Sequence, residues 1–172
     1  MRKFKTACGG TIIIPRKTEE HLLTHPEAQD LLPEATGRVV LPQNRTFLST
    51  EVEMGRVVGR TGCMQTTPIN LDDRAMFAQR VGRDRPSRVI IGDGEETTKV
   101  VVLAFASREE ADTYVLVTSW VGSLAPKEPW DQNICNSAER QESLRFWCTH
   151  ALVWDTTVMS KPFKSSWKDI LD

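Results

Sequence analysis

Two apolar segments joined by a short polar turn constrain this chain most. Residues 97–106 contain Lys99-Val100-Val101-Val102-Leu103-Ala104-Phe105, which is nearly all apolar. Residues 113–122 contain Tyr114-Val115-Leu116-Val117-Thr118-Ser119-Trp120. Both have the length and composition of strands. The link from Ser107 to Asp112 is too short for a crossover, so the two segments pair antiparallel. A further strand is expected at Arg88 to Gly92, joined to the first through Asp93-Gly94. Together the three form an antiparallel meander. Side chains alternate along a strand, so Val115, Val117 and Val121 are expected to face a core. Tyr114, Thr118 and Trp120 then lie on the open face.

Helices are expected on either side of the meander. Thr11-Ile12-Ile13-Ile14 reads as a strand ended by Pro15. Thr18 is placed to cap a helix carrying His21, and Pro26 ends or kinks that helix at His25. A second helical stretch from Glu27 to Ala35 presents Leu31 and Leu32 to a core and closes at Gly37. Thr46 to Val52 and Gly55 to Gly59 read as strands around a Met54-Gly55 turn. Met76, Phe77, Arg80 and Val81 have helical spacing before Gly82, so a middle helix is expected over 74–81, capped by Asn70 or Asp72. Beyond Gly122 a Pro-containing loop leads to a helix capped by Ser137 and running to about Cys148. Ala151 to Trp154 is a last strand or a continuation of that helix. The polar tail from Ser160 is docked or mobile. The expected fold is α+β, a single domain over 1–172. Its core is an antiparallel sheet at about 10–122, packed by N-terminal and middle helices. A helical, Trp-rich extension follows at about 123–172.

Bulk properties narrow the function classes. A chain of 172 residues with 40% hydrophobic and 26% charged residues buries a core without staples. A net charge of -1 gives no global attraction to nucleic acid, so any polyanion site is a local patch. Cys8, Cys63, Cys135 and Cys148 form no C-x-x-C pair, which disfavours structural zinc and suits free thiols in a reducing cytoplasm. No stretch approaches the roughly 20 apolar residues of a membrane span, and the basic N-terminus lacks the apolar run of a signal peptide. The expectation is a cytoplasmic protein with no membrane partner and no cofactor.

Chemistry is concentrated in a few residues. His21 and His25 are two of the three histidines and stand four residues apart, the spacing of one helical face. Imidazole moves protons near neutral pH and also binds metals. The residues between them include no acid to serve as a base, and no third ligand is adjacent. Arg80, Arg83, Arg85 and Arg88 stand against the single acid Asp84, a cluster suited to gripping phosphate oxygens. Tyr114, Thr118 and Ser119, with Lys99 from the neighbouring strand, put hydroxyls and a cation on the sheet.

A helix bearing His before a β-meander, with a strand reading Tyr114-x-x-x-Thr118-Ser119, resembles the barnase/RelE/colicin-D-like group of small ribonuclease folds. The resemblance covers about residues 18–122. It implies a helix packed on an antiparallel sheet whose open face binds RNA, and metal-independent cleavage by 2′-hydroxyl attack. It implies that His21 or His25 is base or acid, and that Arg88 stabilises the phosphorane with Lys99 as an auxiliary cation. Thr118 with Ser119 would position the phosphate. Independently of the resemblance, Arg83 and Arg85 of the arginine cluster and Tyr114 of the open sheet face are expected substrate contacts.

This chain is larger than most such toxins and is not basic, and the part beyond Gly122 has no counterpart there. Two other readings therefore stay open. One is a noncatalytic interaction module or homodimer that uses Trp130, Trp147, Trp154 and Trp167. The other is a metal-dependent hydrolase built on His21, His25 and Glu128 or Asp131.

Overall fold

The computed structural model describes residues 2–42 and 46–172. In chain order the elements are β1 (Arg2–Lys5), β2 (Thr11–Ile14), α1 (Arg16–Leu22), α2 (Pro26–Arg38), β3 (Phe47–Glu53), β4 (Gly59–Arg60), β5 (Thr67–Pro68) and β6 (Met76–Ala78). They continue with β7 (Ser87–Ile90), β8 (Glu96–Thr97), β9 (Lys99–Ala106), β10 (Thr113–Val121), α3 (Ser137–Thr149), β11 (His150–Val153) and α4 (Trp167–Leu171). The fold is α+β, with a C-terminal helix. It divides into two compact units, Met1–Gly59 with Glu96–Leu124, and Arg60–Glu95 with Ala125–Asp172. The second unit thus joins part of the stretch read above as core to the stretch read as an extension.

The first unit is built on a five-stranded sheet in the order β1-β2-β10-β9-β3. Strands β9 and β10 pair antiparallel, as the short turn requires, and β3 pairs antiparallel on the far side of β9. Strand β2 is parallel to β10, so the sheet is mixed. Helix α2 lays Ala28, Leu32 and Ala35 on the core, a 4-then-3 spacing that keeps all three on one helical face. Leu32 and Ala35 share one core cluster with Ile12, Ile14, Leu48, Val100, Val102 and Leu116, every one of them almost fully buried. The helix continues past Gly37 to Arg38, where the guanidinium binds Glu34 at 2.7 Å and the Glu53 carbonyl at 3.0 Å.

Two local expectations change here. Helix α1 starts directly after Pro15 and has no side-chain cap. Thr18 instead donates its hydroxyl to the Leu116 carbonyl at 3.1 Å, just past Val115, the last residue of β10 paired with β2. The second change is a bulge. Leu116 pairs with Ala104 and Thr118 with Leu103, so Val117 is an inserted residue. An inserted residue reverses the alternation beyond it. Tyr114 and Leu116 therefore enter the core, as does Val121, while Val117 stays 36% exposed. The expected assignment of Val115 and Val117 to the core and Tyr114 to the open face is corrected: Val115 lies on the outer face, and the insertion at Val117 lets Tyr114 and Val121 both face the core.

The second unit has a four-stranded sheet, β5-β11-β7-β6, with β11 parallel to β7 and β6 antiparallel to it. Strand β7 is the expected Arg88 strand, but it belongs to this sheet and does not pair with β9. The chain turns away at Gly94, whose backbone lies so close to Thr61 that an added Cβ would sit 2.0 Å from the Thr61 carbonyl oxygen. The expected middle helix over 74–81 is also absent. Met76–Ala78 is a strand, paired with β7 and bridged at Phe77 to Phe163. Asn70 and Asp73 bond each other and close a turn rather than cap a helix. Long-range pairing here overrides a local helical spacing. Helix α3 is capped by Asn136, whose side chain accepts from the Glu139 N–H at 2.9 Å, one residue before the expected cap. The tail is docked through α4, with Trp167 edge-on to Phe77 at 5.1 Å.

Candidate functional site

Pro26 separates the two histidines. It occupies the first position of α2 and leaves His25 as the residue before that helix, while His21 lies in the last turn of α1. The rings still meet edge to face, with centroids 5.5 Å apart. His25 is only 8% exposed. Burial pushes its pKa below the ordinary histidine value; Glu27 opposes the shift and His21 adds to it. His25 is therefore a neutral, enclosed ring that braces its neighbour. His21 is exposed, and its Nε2 shares a hydrogen bond with Oγ1 of Thr118 at 3.2 Å. The structure thus brings together His21, His25 and Thr118, three of the four residues singled out for catalysis.

The bulge explains why Thr118 is there. Thr118 stands in a row with Leu103 and Ser49, on the sheet face turned away from the core. Helix α1 packs against β10, and His21 reaches Thr118 from it. Ser119, by contrast, is fully buried and donates its hydroxyl to the Val101 carbonyl at 2.7 Å. Tyr114 is buried in the core and its hydroxyl donates to the Pro42 carbonyl at 3.2 Å. Lys99 is tied to Glu51 at 2.7 Å, and that bond raises its pKa. These three side chains serve the fold of the first unit.

One row of the outer face was not anticipated. Lys3, Ile13, Val115, Phe105 and Phe47 are register partners in turn, crossing all five strands. At about 4.8 Å between strands the row spans roughly 19 Å. Phe105 is 55% and Phe47 39% exposed, and their rings lie 4.9 Å apart at 52°. Lys5, with Thr11 and Thr113, begins the next row beside it. Exposed aromatic rings in line with lysines on a sheet are the ingredients of a stacking surface for unpaired bases. Only the pairing register shows this, because Phe47 and Phe105 lie in different strands and each resembles an ordinary apolar strand residue.

Arg83, Arg85 and Arg88 belong to the second unit. Arg85 donates to the Ile170 carbonyl and so ties α4 in place. Arg88 is half-buried in β7, and its Nε is buried without a partner among the described residues. Arg80 forms an enclosed pair with Glu128 at 2.7 Å. Arg83 alone of the cluster is fully on the surface. The cluster is thus mostly internal bracing of that unit.

The alternative readings gain less from the geometry. Among the described residues no group of three His, Cys, Asp or Glu side chains is arranged to hold a metal ion. The tryptophans are used inside the second unit. Trp147 is buried, Trp154 and Trp167 pack against the same cluster, and Trp130 donates its indole N–H to the Pro86 carbonyl at 3.0 Å. No helix among the described residues is long and apolar enough to cross a membrane. Compared with known proteins, the chain matches no family model, no curated protein and no solved structure.

Proposed function

We propose that the first unit binds single-stranded RNA on the outer face of its sheet and cleaves it without a metal ion. The observation that carries this reading is the 3.2 Å contact between His21 and Thr118 at a face bearing exposed Phe47 and Phe105. Unpaired bases stack on the two rings, and Lys3 and Lys5 hold phosphates. Thr118 donates to a phosphate oxygen while His21 takes the proton of the adjacent 2′-hydroxyl. The oxygen then attacks phosphorus, the bond to the 5′-oxygen breaks as that oxygen takes up the proton held by protonated His21, directly or through water, and a 2′,3′-cyclic phosphate forms. His25 keeps the His21 ring in place. All of these groups come from one unit, so the reading does not depend on Arg88.

The test is cleavage of an unstructured RNA oligonucleotide in excess chelator. General acid–base groups contribute about 10²- to 10⁴-fold, so His21→Ala should lower the rate about 100-fold or more. A DNA oligonucleotide of the same sequence should stay intact, since it lacks the nucleophile. Undiminished cleavage by His21→Ala, or activity abolished by the chelator, would overturn the assignment.

A further inference from the structure

The sheet of the first unit ends in β1 on one side and β3 on the other, and no other strand among the described residues pairs with their outer edges. Hydrogen bonds flanking each strand fix which backbone groups point outward. Met54 donates to the Thr98 carbonyl and Ala106 to the Thr46 carbonyl, both at 2.8 Å, so Leu48, Thr50 and Val52 of β3 bond to β9. The N–H and C=O groups of Phe47, Ser49, Glu51 and Glu53 therefore face away from the sheet. The Arg38 guanidinium takes one of them, the Glu53 carbonyl, from that side. At the other end Thr6 donates to the Gly10 carbonyl at 3.0 Å, so Arg2 and Phe4 bond to β2. Lys3 and Lys5 turn their backbone groups outward, as does Ala7, whose N–H reaches the Val39 carbonyl at 3.1 Å. An open edge of this kind is a template for another strand.

The two edges carry opposite charge. Strand β1 reads Arg2-Lys3-Phe4-Lys5 and has no acid, whereas β3 holds Glu51 and Glu53 and no base. Lys3, Lys5, Ser49 and Glu53 are exposed. Glu51 is bonded to Lys99, but the Glu53 carboxylate is held by neutral donors, the Thr98 hydroxyl at 2.9 Å and the Gly55 N–H at 3.0 Å. Two β1 edges would set lysine against lysine, and two β3 edges would gather both carboxylates of each copy in one seam. Like charges across a ladder repel, so only β1 against β3 joins opposite signs. The strand directions agree with that pairing. Strand β3 runs parallel to β2 by way of β9 and β10, and β1 runs antiparallel to β2. A second copy laid edge to edge with the same face up therefore offers its β1 antiparallel to β3.

We propose that copies of this chain associate head to tail, with β1 of one copy added to β3 of the next. Lys5 of the second copy pairs with Ser49 and Lys3 with Glu51, each pair exchanging two backbone hydrogen bonds. The side chains of these pairs lie on the outer face, where Lys3 reaches Glu53 along the diagonal. Phe4 falls opposite Thr50 on the core side. Every copy keeps one free edge of the other kind, so the contact is heterologous and continues into an open chain or a closed ring. The inference is independent of RNA cleavage.

Sedimentation velocity across a concentration series of the intact chain reads the assembly. The mean mass should rise with concentration past that of a dimer. Ser49→Pro and Lys5→Pro each remove an outward N–H that the sheet itself does not use, and edge strands tolerate proline. Each variant alone should be monomeric. Mixed in equal amounts they should form a heterodimer and nothing larger, through the intact β1 of the first and the intact β3 of the second. A native chain still monomeric at about 1 mM would overturn the inference. So would a Lys5→Pro chain that dimerises, since β3 would then be pairing with itself, or two folded variants that fail to combine. If a thermal melt shows either proline variant unfolded, Glu53→Lys takes its place. That exposed change should weaken association about tenfold, and an unchanged association constant would count against the edge contact.

Discussion

Nε2 of His21 lies 3.2 Å from Oγ1 of Thr118, a residue 97 positions further along the chain. No local feature of the sequence joins them. The contact depends on α1 packing against β10 and on the bulge at Val117. If the pair is chemical, the hydroxyl is what matters at 118. Thr118→Val keeps the branched shape and should reduce cleavage about tenfold or more, while Thr118→Ser should retain most of it. A side chain that merely packs would give the opposite order. Single-turnover rates at saturating RNA distinguish the two.

Removal of Val117 isolates the role of the bulge. Leu116 and Thr118 already pair with the adjacent residues Ala104 and Leu103. Deletion therefore yields a regular ladder with no change of face on either side. The protein should stay folded, with stability changed by about 1 kcal/mol or less, because a partly exposed residue is lost and the register is kept. Cleavage should fall with the loss of the local bend that offers Thr118 to His21. Full activity in the deletion variant would detach the bulge from the site.

Phe105 is more than half exposed, so Phe105→Ala should leave the melting temperature nearly unchanged. Stacking is worth about 1–3 kcal/mol per base, so the same change should weaken RNA binding about 5- to 150-fold. Lys3→Ala should act differently. It should flatten the dependence of log affinity on log salt by about 0.7, the contribution of one phosphate contact on a single strand. Fluorescence anisotropy across a salt series with unlabelled competitor measures both. Binding that ignores both substitutions would move the RNA site off this face.

The sheet of the first unit was partly legible because β9 and β10 are long and their turn is short. Register was not legible. One inserted residue at 117 leaves no mark in composition, yet it lets Tyr114 and Val121 both face the core. The second sheet was hidden for another reason. Its strands come from residues 67–90 and 150–153, and such pairing follows no local periodicity, so Met76-Phe77-Ala78 looked helical. The arginine cluster was visible as charge, but its engagement by Glu128 and the Ile170 carbonyl was not. Residue chemistry singles out His21 and Thr118, whereas Phe47 and Phe105 read in the sequence as ordinary strand residues.

His25 makes stability depend on pH in a definite sense. Its pKa is lower in the folded protein than the ordinary value of 6.5. The unfolded chain therefore binds a proton first as pH falls, and the folded state loses stability from there down to the folded pKa. The contribution is intact above about 6.5. His25→Asn should flatten the melting-temperature profile between pH 7 and 5 relative to the native chain. Parallel profiles would place the acid sensitivity elsewhere.

Arg80 and Glu128 offer the reverse sign. The two are 13% and 8% exposed and 2.7 Å apart. Burial nevertheless raises the Glu128 pKa, with Arg80 working against that shift. The buried Ser87 hydroxyl beside Glu128, like Arg80, favours the charged carboxylate. Loss of the guanidinium leaves an enclosed carboxylate that resists ionisation. Arg80→Met should destabilise the chain at pH 7.5 by about 3–5 kcal/mol, the usual result of removing one member of a buried pair. A group with a raised pKa contributes its stability below the unfolded pKa and loses it as pH rises through the folded value. The Arg80→Met chain should therefore recover stability relative to the native chain as pH falls from 7.5 toward 5. Replacement of Glu128 by Gln in the same background should abolish that recovery. Urea melts at a series of pH values measure both, and a pH-independent difference between the native and Arg80→Met chains would show that Glu128 is not the group being titrated.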